Sequence, residues 1–324
     1  VVATVDTGVD FKHQDLPANL WRNSLDCNSN GIDDDGNGYV DDCYGIDTIN
    51  NDSDPFDDGN ISHGTHVAGT IGAIGNNGLG VVGVNWNVSI MVCKFIAAGG
   101  TGTIAAAIAC MEYVKLMKEG GVNIVAVNGS YDGGGFSQAE FDAIAGLKQA
   151  GLLFIACAGN SSTDNDLSSP QYPASYFLPN IISVAGTDTD DNLGYFPLNP
   201  PGSSNYGKRT VHLGAPGVAI LSTTRANSYD YFWGTSMAVS HVTGVAALLK
   251  AYNPNLDWKA IKNLILAGGD TVPGMANTIT QKRLNARGAL SCTNSTVVSR
   301  IRPTGSRVST SVGMPLKLAA LNIN

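Results

Sequence analysis

A chain of 324 residues with 43% hydrophobic residues can bury a substantial core, as one large domain or two small ones. Charged residues make up only 14% and glycine is abundant at 39 residues, which suits a compact enzyme rich in tight turns and excludes a disordered chain. The net charge of −8 with no basic stripe argues against nucleic acid, and no run approaches the ~20 apolar residues of a membrane span.

Val1-Val-Ala-Thr-Val5 reads as a buried strand ending on Asp6, in Val5-Asp-Thr-Gly8. Since the chain opens directly on a core strand, a missing N-terminal segment is expected before it. Between Asn23 and Cys93 there is no Lys or Arg, while residues 26–58 hold eleven Asp. Repulsion should disorder such a run as a bare solvated loop, yet it contains Tyr39, Val40, Tyr44 and Ile46, so cations are expected to neutralise it. In Asp33-Asp-Asp-Gly-Asn-Gly-Tyr-Val-Asp-Asp42, the side chains of Asp33, Asp35 and Asn37 and the carbonyl of Tyr39 follow the first half of an EF-hand loop, with Gly38 at the sharp turn. The bidentate Glu of that pattern is absent, since Tyr44 stands at its position, and Asp42 is expected to close a calcium shell instead.

Farther along, Ser89–Cys93, Asn123–Val127, Leu152–Ala158 and Ile181–Ala185 read as buried strands. His63–Ala73, Thr103–Glu119, Ser137–Ala150 and Thr235–Ala251 have helical spacing. That alternation indicates an α/β fold with a mostly parallel sheet, whose active site should lie beyond the carboxyl ends of the strands. From about Asn294 the composition turns to Ser, Thr, Val and Arg without helical period. Residues 293–324 are therefore expected to form a C-terminal extension, the start of a β-type domain, after a domain over 1–292. Six cysteines fit an extracellular, secreted protein and permit fifteen full pairings. Local bridges Cys27–Cys43 and Cys93–Cys110 are expected, with Cys157 a buried free thiol and Cys292 left over.

Three residues stand at the edges of core elements in the order Asp, His, Ser. Asp6 follows the first strand, where a buried carboxylate needs hydrogen bonds or a positive partner. His63 opens the helix in Ser62-His-Gly-Thr-His-Val-Ala-Gly-Thr70. Ser236, in Gly234-Thr-Ser-Met-Ala238, starts the helix that runs through Ala246-Ala-Leu-Leu-Lys250, so its N–H and the helix dipole face any developing negative charge. Each alone is more often a cap or a surface polar group. Together they point to nucleophilic catalysis.

The segments Val5-Asp-Thr-Gly8, His63-Gly-Thr-His-Val-Ala-Gly69 and Gly234-Thr-Ser-Met-Ala238 resemble, closely, the three catalytic signatures of the subtilisin-like serine proteases, over about Val1 to Cys292. The resemblance implies a three-layer α/β/α fold and a serine endopeptidase, active as a monomer on proteins or peptides and held by a propeptide inhibitor. It implies Ser236 as nucleophile, His63 as general base, Asp6 as the residue that orients the base, and Asn160 as an oxyanion donor. A related acidic insertion in some members supports calcium in the Asp33–Asp42 loop. The family's strong calcium site maps onto Asp15 and Asn77 with carbonyls of Gly75, Leu79 and Val81, although one ligand would come from the missing N-terminal segment. By the same pattern His66 is structural, His241 looks like a packed helix residue, and His13 and His212 have no motif around them. The substrate strand should pair with Ser130–Gly134 and with the region after Asn160, and Gln171 should lie near the base of the first pocket. Two departures stand out: Asp132 where the family has Gly, and Ser240 where it has Pro. The rivals are a catalytically inactive relative that binds peptides in the same cleft and, resting on Ser240 alone, a peptide-joining acyl-transfer enzyme.

Overall fold

The β-branched runs become parallel strands and the small-residue and amphipathic runs between them become helices. In chain order these are β1 (Val2–Asp6), β2 (Gly45–Asp47), α1 (His63–Gly72), β3 (Ile90–Lys94), β4 (Thr101–Gly102), α2 (Ile104–Glu119), β5 (Ala126–Gly129), β6 (Tyr131–Asp132), α3 (Gln138–Gln149) and β7 (Leu153–Cys157). There follow β8 (Ile181–Thr187), β9 (Tyr195–Phe196), β10 (Gly202–Ser203), β11 (Leu213–Pro216), β12 (Ile220–Thr224), β13 (Ser228–Phe232), α4 (Thr235–Tyr252), α5 (Trp258–Gly268), β14 (Asp270–Thr271), β15 (Lys282–Arg283), α6 (Ala286–Ser291) and β16 (Leu316–Leu318). The computed structural model describes residues 1–292 and the backbone of residues 316–318. The expected β-type domain over 293–324 therefore lies, apart from β16, outside the described residues.

The main sheet has nine strands in the order β14-β15-β11-β8-β7-β5-β1-β3-β2, parallel throughout except where β14 meets β15. The strand order reverses at β1, which pairs with β3 on one side and β5 on the other. That switch point is where an open α/β sheet forms its crevice, and Asp6 is the last residue of β1. Both faces are buried, as continuous apolar strands require. On β7, Leu153, Ile155 and Cys157 face the layer of α1, α4 and α5, while Phe154 and Ala156 face the layer of α2 and α3. The same period of two sorts Ile90 and Val92 from Met91 and Cys93 on β3. Each such aliphatic side chain, fully buried, stabilises the fold by about 1.5–3 kcal/mol.

Both expected disulfides form, Cys27–Cys43 and Cys93–Cys110. Cys157 is a buried free thiol whose S–H donates to the Tyr131 carbonyl at 3.0 Å, and Cys292 is free and half-buried. The helix ends are capped by side chains at Thr103, Ser137 and Asp257, each accepting from a first-turn N–H.

Candidate active site and acidic loop

The ends of β1, β5 and β7 and the N-termini of α1 and α4 converge at one edge of the sheet. His63 begins α1 and is fully buried, and its Nδ1 lies 2.7 Å from Asp6 Oδ1. A carboxylate accepts, so the geometry assigns the proton to Nδ1 and the lone pair to Nε2. The Thr7 N–H also donates to Asp6 Oδ1, at 2.7 Å, and the Gly64 N–H donates to Thr7 Oγ1, at 2.8 Å, which ties the end of β1 to the first turn of α1. Gly64 permits this approach: a Cβ there would stand 2.1 Å from the Gly8 carbonyl oxygen. Asp57 lies behind the pair, its Oδ2 accepting from Thr65 Oγ1 at 2.6 Å. Burial first, and then the charge of Asp6, push the Asp57 carboxyl up to about 7 against the pull of Thr65.

Ser236 sits in the first turn of α4, entered through Gly234 at φ 145°, a conformation that side-chain-bearing residues rarely adopt. Its hydroxyl donates to the Ser130 carbonyl at 3.2 Å, while His63 Nε2 has no hydrogen-bond partner among the described residues. The Ser236 hydroxyl is thus not hydrogen-bonded to His63 here; catalytic bonds of this kind commonly tighten only when substrate enters. Asn160, beyond the end of β7, accepts through Oδ1 from the Thr235 N–H at 3.0 Å and the Thr235 hydroxyl at 2.9 Å. That grip turns the Nδ2 end of the same planar amide away from Thr235, free to donate elsewhere. Ser240 donates its hydroxyl to the Ser236 carbonyl at 2.9 Å, and Ser130 Oγ donates to the same carbonyl at 3.1 Å. The departure from Pro thus adds a side-chain bond back to the preceding turn.

The other histidines are held by packing. His66 stacks on Phe232 at 4.1 Å and reaches the Ile220 carbonyl, and burial depresses it to about 3. His241 bonds the Met237 carbonyl within α4, His13 the Ser228 carbonyl, and His212 receives the Lys262 ammonium.

In the acidic loop the expected ligands divide. Asp33 and Asp35 come together with Asp26, a residue outside the EF-hand spacing, with carboxylate oxygens all within 4.8 Å of one another. Asp26 is fully buried and its Oδ2 has no hydrogen-bond partner among the described residues. Asp42 is engaged elsewhere: it accepts from Tyr113 of α2 at 2.6 Å, from Asn37 at 2.9 Å and from Asn23, and so pins the loop to α2. Asn37 caps the loop's own backbone, accepting from the Tyr39 N–H at 2.8 Å, while the Tyr39 ring packs edge-on against Tyr113. At the second expected site, Asp15 meets Asn77 Nδ2 and the Val81 N–H, and the Leu79 N–H donates to Asn77. Tyr229 also donates to Asp15, so both carboxylate oxygens have protein donors there.

A Cβ at Gly159 would lie 2.5 Å from Asn205 Nδ2, 2.9 Å from Asp132 Oδ2 and 3.1 Å from Gln171 Cγ, so the three side chains border one spot. β6 lies within the expected Ser130–Gly134, and β16 pairs with β6 on one edge and with β4 on the other.

The model of the subtilase family (peptidase family S8) matches residues 1–282. The chain belongs to the subtilase family. It is 35% identical over 291 residues to subtilisin-like protease 1 of Plasmodium falciparum (isolate 3D7), covering 86% of this chain and 41% of that protein. It is 31% identical over 289 residues to a thermophilic serine proteinase of Bacillus sp. (strain AK1), covering 89% of this chain and 61% of that one. Among solved structures, a cold-adapted subtilisin-like serine proteinase superposes with a TM-score of 0.69 at 29% identity, covering 88% of each chain. The subtilase thus spans less than half the length of the first of these relatives, and the fold expected from the sequence is the one found.

Proposed function

We propose that this subtilase is a serine endopeptidase that cleaves proteins or peptides through an acyl-enzyme on Ser236. The observation that carries it is the buried Asp6–His63 pair, at 2.7 Å, beside a serine in the first turn of α4. In the proposed reaction the Ser236 oxygen attacks the substrate carbonyl while His63 Nε2 takes the hydroxyl proton. The Asp6 carboxylate holds the imidazole and stabilises its protonated form. The tetrahedral oxyanion is met by the Asn160 amide and the Ser236 N–H. His63 then gives its proton to the leaving amine, and water repeats the sequence to release the acid. A catalytically inactive peptide binder is not favoured, since every group the chemistry needs is present. A fluorophosphonate probe should modify Ser236 alone, seen as a single mass shift on its peptide; modification of other residues with Ser236 untouched would overturn the assignment.

The proposal extends to calcium and to an extracellular setting. Two disulfides support the latter. Among the described residues no helix is long and apolar enough to cross a membrane. The Asp26–Asp33–Asp35 cluster fits a hard, oxygen-preferring cation, because the buried Asp26 Oδ2 has no donor to offset its desolvation. The second ion would sit between Asp15 and Asn77 with the carbonyls of Gly75, Leu79 and Val81. A cation bound only to the folded state at about 100 times its Kd adds about 2.7 kcal/mol. Excess chelator should therefore lower the Tm by about 5 °C or more, and Asp26→Asn should abolish the part of that shift due to the loop. A melting curve indifferent to chelator would remove calcium from the account.

Specificity should bear the mark of Asp132. Its carboxylate beside Gly159 and Gln171 should favour basic over acidic side chains in the first pocket. For a solvent-facing pair the preference is at most about fivefold, and larger at low salt. A peptide library cleaved by the parent and by Asp132→Gly reads it directly. Identical profiles at low ionic strength would show that the carboxylate does not reach the substrate.

A further inference from the structure

The short strands β4 and β6 are not joined to each other. They flank β16, a segment of the same chain, in a three-stranded antiparallel sheet of order β4-β16-β6. Leu316 pairs with Gly102 and Lys317 with Thr101 on one side; Lys317 pairs with Asp132 and Leu318 with Tyr131 on the other. Take β16 away and two strands that run in the same direction each present an open edge of N–H and C=O groups toward a common slot. Such edges recruit an extended peptide by main-chain bonds. The slot ends at the nucleophile: Ser130, next to Tyr131, receives the Ser236 hydroxyl. A strand lying there occupies the path of a substrate strand.

The charge of the chain favours its own tail as that strand. Residues 293–324 contain three Arg and Lys317 and no acidic residue, so the net charge of −8 divides into +4 on the tail and −12 on residues 1–292. The register places the lysine of the strand opposite Asp132, the carboxylate that this subtilase has where its family has Gly. Residues 293–315 make the tether, and at about 3.3 Å per residue they can cross a domain of this size.

We propose that the slot between β4 and β6 is a strand-binding site whose resident occupant is the chain's own segment Leu316–Leu318, held in cis and competing with incoming peptides. The effect of tethering is concentration. A covalent link presents its strand at an effective concentration of about 1 mM, so a peptide of the same sequence must compete against it. The proposal uses the peptidase assignment only to place the slot beside Ser236. Its test is therefore made on the whole 324-residue chain carrying Ser236→Ala, where no catalysis is needed. The probe is a fluorescein-labelled peptide with the sequence of residues 315–319, read by polarisation. Lys317→Pro removes a ladder donor whichever neighbour that N–H faces, and it should tighten probe binding about tenfold. Lys317→Glu lowers the charge of residues 293–324 from +4 to +2 against the −12 of residues 1–292 and should act in the same direction, while Lys317→Arg should leave binding as weak as in the parent. All three substitutions lie in the tail, outside the core, and an unchanged Tm confirms that the domain is intact. Equal affinity in parent, Lys317→Pro and Lys317→Glu would overturn the proposal, as would no binding to any of them. A parent affinity that weakens with protein concentration would assign the strand to a second copy and overturn the cis arrangement. Failure of fluorophosphonate labelling would strike the peptidase assignment and leave these results standing.

Discussion

Ser236→Ala is expected to lower kcat on a peptide substrate about 10⁶-fold, the loss that removing the nucleophile causes in subtilisin itself. The alanine keeps the α4 N-terminus, the Asn160 amide and the His63–Asp6 pair, so the binding groups and the oxyanion donors survive. What is removed is one oxygen, and with it the covalent intermediate. Residual turnover of about 10³–10⁴-fold over water should persist, since orientation and oxyanion stabilisation do not require the nucleophile. The Ser236 hydroxyl makes one bond, to the Ser130 carbonyl at 3.2 Å, and that carbonyl is left with one donor fewer in the variant. The cost to stability is accordingly small, about 1–3 kcal/mol at most. A drop of less than tenfold in kcat, with contaminating peptidases excluded by purification of an inhibitor-treated control, would show that another residue carries the attack.

How far the sequence announced this site depends on whether its determinants are local. Strands β1, β3, β5, β7 and β8 were legible because both their faces are buried, which forces continuous β-branched or apolar runs. The four long helices match within about two residues for the same reason. By contrast β2, only three residues inside the acidic run, has no periodicity to show, and β12 and β13 form a polar hairpin over α1. The α5 pattern was readable in principle: Asp257 caps it, and Ile261, Leu264 and Ile265 form one apolar face. For Asp6, His63 and Ser236 each residue type and its motif were visible, while the 2.7 Å approach of His63 to Asp6 was not. The acidic loop shows the limit most clearly. The EF-hand spacing starts at Asp33 and so passes over Asp26, which lies beside Asp33 and Asp35 next to the Cys27–Cys43 bridge. Nor does that spacing show that Asp42 accepts from Tyr113, a partner 71 positions away. The pairing of β4 was equally hidden, since Thr101-Gly102 has no signature of its own and is defined by what pairs with it.

Asp6→Asn should reduce kcat about 10⁴-fold while leaving the protein folded. The two side chains have the same shape, so the packing at the end of β1 is kept. The electrostatics are not. Asp6 Oδ1 accepts from both His63 Nδ1 and the Thr7 N–H, each at 2.7 Å. An asparagine can preserve both bonds only with its carbonyl at that position, which places the NH₂ where Asp6 Oδ2 is buried without a partner. With the amide reversed, the NH₂ faces His63 Nδ1 and the Thr7 donor. The imidazole then carries its proton on Nε2, the atom that must accept one from Ser236, and general-base catalysis is lost. In either orientation the negative charge that stabilises the imidazolium in the transition state is gone. Asp57 does not replace it: its carboxyl is pushed up to about 7 by burial, and its Oδ2 is bound to Thr65. The measurement is kcat together with the second-order rate of fluorophosphonate labelling, and both should fall, because both need Ser236 deprotonated by His63. The Tm reports whether the fold is intact. A variant that keeps its Tm and retains more than about a tenth of the parent kcat would mean that Asp6 neither fixes the tautomer nor supports the charge, and the orienting role would have to pass to another group.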